Sequence, residues 1–246
     1  MRFIPLSARY ALAASFLILA AASCKKKEDP VSYSGGQAYL PPQIGKFVEY
    51  DVDSIVYDDF SADTTYTSWK MRYEVVDSFR DADSNLSYSV NVTQRMSESE
   101  PWATSQVFYL TPRPNGMDIV MQNLRFQKLA FPVNVSTTWM GNSQIPALDQ
   151  DFQYLQNWTY RYTEVAQPFD NGRVTFNNTI TVMERDETIN DPVTLPSAYA
   201  ERTFSKAVYA RDIGMVYKEQ VRWTYQGGTV QALKGYSVVM RATEHN

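Results

Sequence analysis

A stretch in which every second side chain is apolar constrains this chain more than any other feature. From Trp69 onward, Trp69, Met71, Tyr73, Val75 and Phe79 share one parity, while Lys70, Arg72, Glu74, Ser78 and Arg80 share the other. On a helix these residues would scatter around the axis; on a strand they separate into an apolar face and a polar face. Asp81-Ala82-Asp83-Ser84-Asn85 supplies a turn, after which Leu86, Tyr88, Val90, Val92 and Met96 return opposite Ser87, Ser89, Asn91, Thr93 and Arg95. Two alternating runs joined by turn residues read as a β-hairpin with one buried face.

The same period recurs along the chain. Phe47 to Tyr57 places Val48, Tyr50, Val52 and Val56 against Glu49, Asp51 and Asp53, and further strands are expected at Gln106 to Thr111 and Met117 to Leu129. Trp158, Tyr160 and Tyr162 start another strand, as do Val174, Phe176, Ile180 and Val182. Met215, Tyr217 and Val221 begin one that reaches the turn at Gly227-Gly228, and the last runs from about Gln231 to Ala242. Gly141 to Gln156 loses the period and reads as a long loop or one short helix, and Thr188 to Tyr199 as a second loop broken by Pro192 and Pro196. With 17 Tyr, 12 Phe and 5 Trp, the composition is that of strands. The expected fold is all-β: a single antiparallel domain of roughly ten strands that protects its edges as a barrel or a strongly curved sheet.

The first residues are of another kind. Arg2 and Arg9 precede an uncharged run from Tyr10 to Ala22, shorter than the roughly 20 residues of a membrane span, so the segment reads as a removable leader. Ala21-Ala22-Ser23-Cys24 resembles a bacterial lipoprotein cleavage box, with Ala21 where that pattern prefers Leu. The resemblance implies cleavage before Cys24 and acylation of its sulfur. It also accounts for the cysteine count, because an exported chain with one thiol forms no internal disulfide. The expected organisation is a signal peptide over 1–23, a lipidated cysteine and flexible tether over 24–43 and a β domain over 44–246. Loss of Arg2 and Arg9 with no acid takes the formal net charge from −4 to −6, which disfavours nucleic acid as a partner.

Lys27-Glu28-Asp29 resembles the surface-export signal of Bacteroidota lipoproteins. Three longer stretches resemble a group of Bacteroidota outer-membrane and surface lipoproteins with no assigned activity: GKFVEYDVDSIVYDDF from Gly45 to Phe60, LRFQKLAFPV with the Trp139-x-Gly141-Asn142 that follows it, and YARDIGMVYKE from Tyr209 to Glu219. The resemblance implies an outer-membrane location on a lipid anchor, displayed at the cell surface, and implies no reaction. The last stretch is also similar to lipocalin-like and lipoprotein-carrier folds, in which a curved sheet holds an acyl chain, an analogy of fold alone.

Side chains that carry chemistry are sparse. The single histidine, His245, stands near the chain end, where side chains are rarely positioned, and the single cysteine is assigned to lipid. A Ser/His/Asp triad, a thiol nucleophile and a His-ligated zinc site are therefore not expected. Asp81 to Asn85 begins like a calcium loop but has Leu86 and Val92 where an EF-hand needs Gly and Glu, so a turn is expected and no metal site. Asp149 with Asp151, or Glu98 with Glu100, are the carboxylate pairs a glycan hydrolase would require. Asp63-Thr64-Thr65 and Asp53-Ser54-Ile55 resemble short O-glycosylation acceptors. Trp102, Trp139 and Trp158 flank loops and are the candidate binding face for a sugar ring or a lipid.

The expected function is a non-catalytic, lipid-anchored envelope domain, held to the membrane through Cys24, that binds a partner protein or a hydrophobic or glycan ligand without a cofactor. A structural subunit of an outer-membrane complex is the alternative, with the hydrolase third.

Overall fold

The computed structural model describes residues 35–146, 150–227 and 232–246. Cys24, Lys27, Glu28, Asp29, Asp149 and Gly228 lie outside the described residues. The described residues form twelve antiparallel strands: β1 (Phe47–Tyr57), β2 (Thr64–Arg80), β3 (Leu86–Arg95), β4 (Ala103–Arg113), β5 (Gly116–Met121), β6 (Leu124–Ala130), β7 (Thr138–Met140), β8 (Thr159–Asp170), β9 (Thr175–Ile189), β10 (Ala200–Ala210), β11 (Gly214–Tyr225) and β12 (Leu233–His245). Their order in the sheet is β6-β5-β4-β3-β2-β1-β12-β11-β10-β9-β8-β7, so each strand lies beside its sequence neighbour except at two places. The first and last strands pair, from Val48 opposite His245 to Tyr57 opposite Gly235. The sheet's two edges, β6 and β7, face each other, with the Gln127 amide donating to the Gly141 carbonyl at 2.8 Å and the Trp139 indole to the Gln127 carbonyl at 2.8 Å. The result is a nearly closed barrel, the all-β architecture that the alternation predicts.

Two strands more than expected arise in identifiable places. Met117 to Leu129 is a hairpin, not one strand, because Gln122 and Asn123 turn the chain with φ of 51° and 62°. Two adjacent left-handed residues make the tight reversal usually signalled by Asn-Gly, and Gln-Asn hides it. β10 carries Ala200, Ser205, Ala207 and Ala210, small residues that announce no strand.

β-Bulges break the alternation at several points. Val76 is extra in β2, so beyond it Phe79 lies opposite Ser87 on the outer surface and packs edge to face on Tyr109 at 5.1 Å, not with Tyr73 and Val75 in the core. Lys128 in β6, Glu184 in β9 and Val216 in β11 are extra residues of the same kind. A bulge re-aims the side chains around it. Past Val216, Tyr217 faces outward opposite Val208 and Lys218 takes the inward position opposite Ala207, the reverse of the simple alternation.

The barrel is filled by one large cluster that includes Val75, Val92, Phe108, Leu129, Tyr160, Tyr162, Ile180 and Tyr209. A second cluster explains why Ala207, Val208, Tyr209 and Ala210 are all buried although they alternate in direction. The β8–β9 hairpin leaves the barrel wall and lies back over β11, β12 and β1. Phe169 meets Tyr217 at 5.3 Å, Phe176 lies 6.2 Å from His245, and Arg173 pairs with Asp51 at 3.0 Å. His245 is thus held in the last strand, where the sequence had suggested an unpositioned chain end. At the hairpin tip the buried Asn171 amide nitrogen donates to the carbonyls of Val216 (3.1 Å) and Ala242 (2.9 Å), while its oxygen accepts the amides of Arg173 and Val174. Both carbonyls lie where bulges disturb the ladder, between Tyr209 and Val208 and between Tyr50 and Glu49.

Residues 35–43, read from sequence as tether, are ordered. Gly35–Tyr39 is a short 3-10 helix, and Ala38 to Pro42 are buried. Gly36 sits against the Phe131 ring so closely that a Cβ would lie 2.1 Å from it. The Ala38 carbonyl accepts the Asp212 amide at 2.7 Å, and the Tyr39 hydroxyl donates to Asn178 at 2.8 Å. The chain therefore enters the fold by closing part of one barrel end.

Asn171→Ala leaves two buried carbonyls without that donor, and at about 1–3 kcal/mol per unsatisfied group it should lower unfolding free energy by about 2–6 kcal/mol in urea melts. A loss below about 0.5 kcal/mol would show that the hairpin tip does not clamp the two bulges.

Candidate functional site

Beside the N-terminal 3-10 helix the barrel end is open. Leu40, Val48, Val75, Phe108, Ile119 and Met215 line a cavity of about 70 Å³, with Lys46 and Phe47 also in its wall. Tyr50, Tyr73 and Tyr209 line it too and are fully or almost fully buried or packed against the core. The Tyr50 hydroxyl donates to the Met215 carbonyl at 2.8 Å. Burial raises the Tyr50 and Tyr209 hydroxyls well above their ordinary pKa and Tyr73 to about 12, so these walls stay neutral. The cavity is apolar for a plain reason: the strands that meet here contribute inward positions from the alternating runs.

Deeper in the barrel lies a cluster that the sequence reading passed over. Glu184, with 2% of its side chain exposed, receives Lys128 Nζ at 3.0 Å, Lys218 Nζ at 2.5 Å and the Ser205 hydroxyl at 2.7 Å. Lys128 also reaches the Tyr160 hydroxyl at 3.3 Å, and that hydroxyl donates to Asn142 at 2.8 Å. Burial alone would raise the Glu184 carboxyl, but Lys128 and Lys218 outweigh it, with further help from the Lys218 and Ser205 hydrogen bonds, and hold it at about 2. Lys218 is pushed down to about 8, first by burial, with Lys128 adding repulsion against the pull of Glu184. Two ammonium groups thus share one carboxylate.

Bulges build this arrangement. Lys128 and Glu184 are themselves the extra residues of their strands, and Lys218 turns inward because Val216 is extra in its own. The stretches quoted for their resemblance meet here: LRFQKLAFPV brings Lys128, Trp139-x-Gly141-Asn142 brings Asn142, and YARDIGMVYKE brings Lys218. Gly141 has its own reason, since a Cβ there would lie 2.6 Å from the Tyr160 ring. The available sequence signal was a glutamate in phase with Ile180 and Val182.

The tryptophans do not form one exposed face. Trp158 is 4% exposed, with its indole donating to the Tyr154 carbonyl at 2.8 Å. Trp139 is half-buried against Tyr160 and Tyr162, with ring centroids at 5.7 and 4.9 Å, and its indole closes the barrel seam. Flanking a loop did not expose them, because the loop folds inward. Trp102 is half-buried under the Arg95 guanidinium, 4.4 Å from its ring. Asp81 is a turn residue: Oδ1 accepts the amides of Asp83 and Asn85 at 3.0 and 2.8 Å. Glu98 is tied to Lys70 and Arg95, and the Glu100 carboxylate accepts the Met96 amide, so this pair caps a loop. Asp151 stands in a second 3-10 helix, Gln150–Leu155. Thr64 is exposed at the start of β2, whereas Ser54 lies within β1.

Fold and interior together define an up-and-down antiparallel barrel with an apolar opening at one end and a charged clasp inside. No protein-family model and no curated protein matches the chain. Among solved structures it is similar to a predicted exported protein with a YmcC-like fold from Bacteroides fragilis, at 13% identity and a TM-score of 0.40, covering 84% of this chain and 98% of that one. It is also similar to a predicted lipoprotein from Parabacteroides distasonis, at 11% identity and a TM-score of 0.27, covering 85% and 98%.

The charge cluster makes two opposed predictions. Glu184→Gln strands two buried ammonium groups and should cost about 3–5 kcal/mol, whereas Lys218→Met leaves a one-to-one pair and should be neutral or stabilising at pH 7 in urea melts. The pH dependence has a definite sign. Because Glu184 titrates lower folded than unfolded, its stabilisation is complete above about pH 4.5 and is lost as pH falls toward 2. Lys218 also titrates lower folded than unfolded, so between about pH 8 and 10.4 the unfolded chain holds the extra proton and stability rises with pH. Lys218→Met should abolish that rise; its persistence would assign it to another group.

Proposed function

We propose that this chain is a lipid-anchored, non-catalytic domain of the bacterial outer membrane, displayed at the cell surface, whose barrel receives an apolar group through the open end. The apolar opening beside the N-terminal 3-10 helix carries the reading. Ligand pockets are concave and mostly apolar with few polar groups, and this one is walled by aliphatic and neutral aromatic side chains. The leader and Cys24 support the anchor, and two acyl chains on one sulfur-bearing residue give stable membrane attachment. From Cys24 to Gly35 the chain advances eleven residues, a leash of at most about 40 Å when extended. The ligand therefore enters on the side at which the leash joins the fold.

A second reading, docking onto an envelope protein, is favoured by the far end of the barrel. There the β1–β2 turn exposes Phe60 at 95% and the β9–β10 loop exposes Val193 at 87%, two apolar side chains at the same end of the barrel.

Cys24→Ala should abolish incorporation of radiolabelled palmitate and release the protein from the membrane fraction. Protease added to whole cells should digest the wild type, and protection would place it on the periplasmic face. Native mass spectrometry of the full-length protein from membranes should show an added small-molecule mass that disappears when Ile119→Phe fills the cavity. A mass retained by that variant would move the binding site elsewhere.

A further inference from the structure

The cavity wall includes one cation, and its situation differs from that of the neighbouring charges. Beside it Glu49, Arg72 and Glu74 are bound to one another, with Arg72 3.5 Å from each carboxylate and its guanidinium 3.9 Å above the Phe47 ring. Lys46 is half-buried at the cavity and, among the described residues, forms no ion pair. Its backbone is fixed: the Lys46 carbonyl accepts the Val75 amide at 2.9 Å, and the Asn246 side chain bridges the Gly45 carbonyl and the Phe47 amide, both at 2.8 Å. Its ammonium is therefore available to a carboxylate from outside the chain.

We propose that the opening binds a short aliphatic carboxylate, with its hydrocarbon end in the cavity and its carboxylate on Lys46. The inference rests on the apolar-ligand reading above and adds the ligand's charge and size. The size follows from volume: about 70 Å³ is roughly half of the 150 Å³ or so that admits benzene, so the cavity encloses the terminal carbons of a short chain whose remaining methylenes lie along the open mouth toward Lys46. The charge follows from complementarity, because among the described residues the tyrosine and aliphatic walls supply no competing anion and Lys46, the one cation in the wall, selects a negative head. An ammonium-to-carboxylate hydrogen bond is among the stronger polar contacts, and it orients a ligand that the apolar wall alone would leave free to rotate.

Equilibrium dialysis of radiolabelled hexanoate and of 1-hexanol against the full-length protein tests this. Hexanoate should bind more tightly than hexanol to the wild type, and Lys46→Met should weaken hexanoate by about tenfold, as loss of one charge-assisted bond implies, while leaving hexanol unchanged. Lys46→Arg should retain most of the preference. Ile119→Phe, which fills the cavity, should remove binding of both, and a thermal melt of each variant establishes that it is folded. Equal hexanoate binding by wild type and folded Lys46→Met, with hexanol still bound, would overturn the head-group assignment and leave the apolar site standing. Failure of both probes to bind the wild type would overturn the apolar-ligand reading itself.

Discussion

One carboxylate holds this barrel in shape. β6 is a sheet edge, with a full backbone ladder on one side and the Gln127–Gly141 bond on the other, and it is the strand that presents Lys128 to Glu184 on β9, while β11 presents Lys218 to the same group. The contact crosses the interior and pulls the free edge toward strands three and five places away along the wall. Tyr162 adds a second tie, donating to the Ala130 carbonyl and accepting its amide. A hydrophobic contact of the same area would attract but would not fix which strand meets which, and a charge with three definite donors does.

How much of this was legible follows from where the alternation survives. The β2–β3 hairpin around Val75, Val90 and Val92 folds as the pattern dictates, because one buried face leaves no freedom of register. Phe79, Tyr217 and Lys218 do not, and each lies beyond a bulge. A bulge adds one residue and inverts the phase for everything after it, and no residue type marks its place in a single sequence. That is why Lys218 was hidden, since period-two reading sends it outward; Glu184 keeps the phase of Ile180 and Val182 and Lys128 that of Leu124 and Phe126, but a charged residue in an inward phase does not name its partners. Two of the tryptophans are less exposed than their place beside loops suggested, for a different reason. Trp139 and Trp158 border loops, but those loops return into the barrel and spend both indoles on backbone carbonyls.

The clasp and the opening are neighbours through Tyr209, which lines the cavity and whose hydroxyl is held neutral by burial and by the Glu184 charge. The interior is thus graded along its length. Charge is concentrated and paired at one level, tyrosines with neutral hydroxyls form the next, and aliphatic side chains with one cation form the mouth. The tyrosine layer thus stands between the apolar cavity and the ion cluster and sets the depth of the cavity without any dedicated floor.

The pairing of β1 with β12 carries a last implication, about time. Ten of the eleven ladders join strands that follow one another in sequence, and each is available as soon as its own segment exists. The ladder from Val48–His245 to Tyr57–Gly235 joins residues almost two hundred positions apart and completes the ring. Contacts at such separation form slowly, since the intervening chain must first be confined. A ring of this topology stays open until β12 has been made and has found β1, so the hairpins between them must hold their shape before the wall that joins them exists.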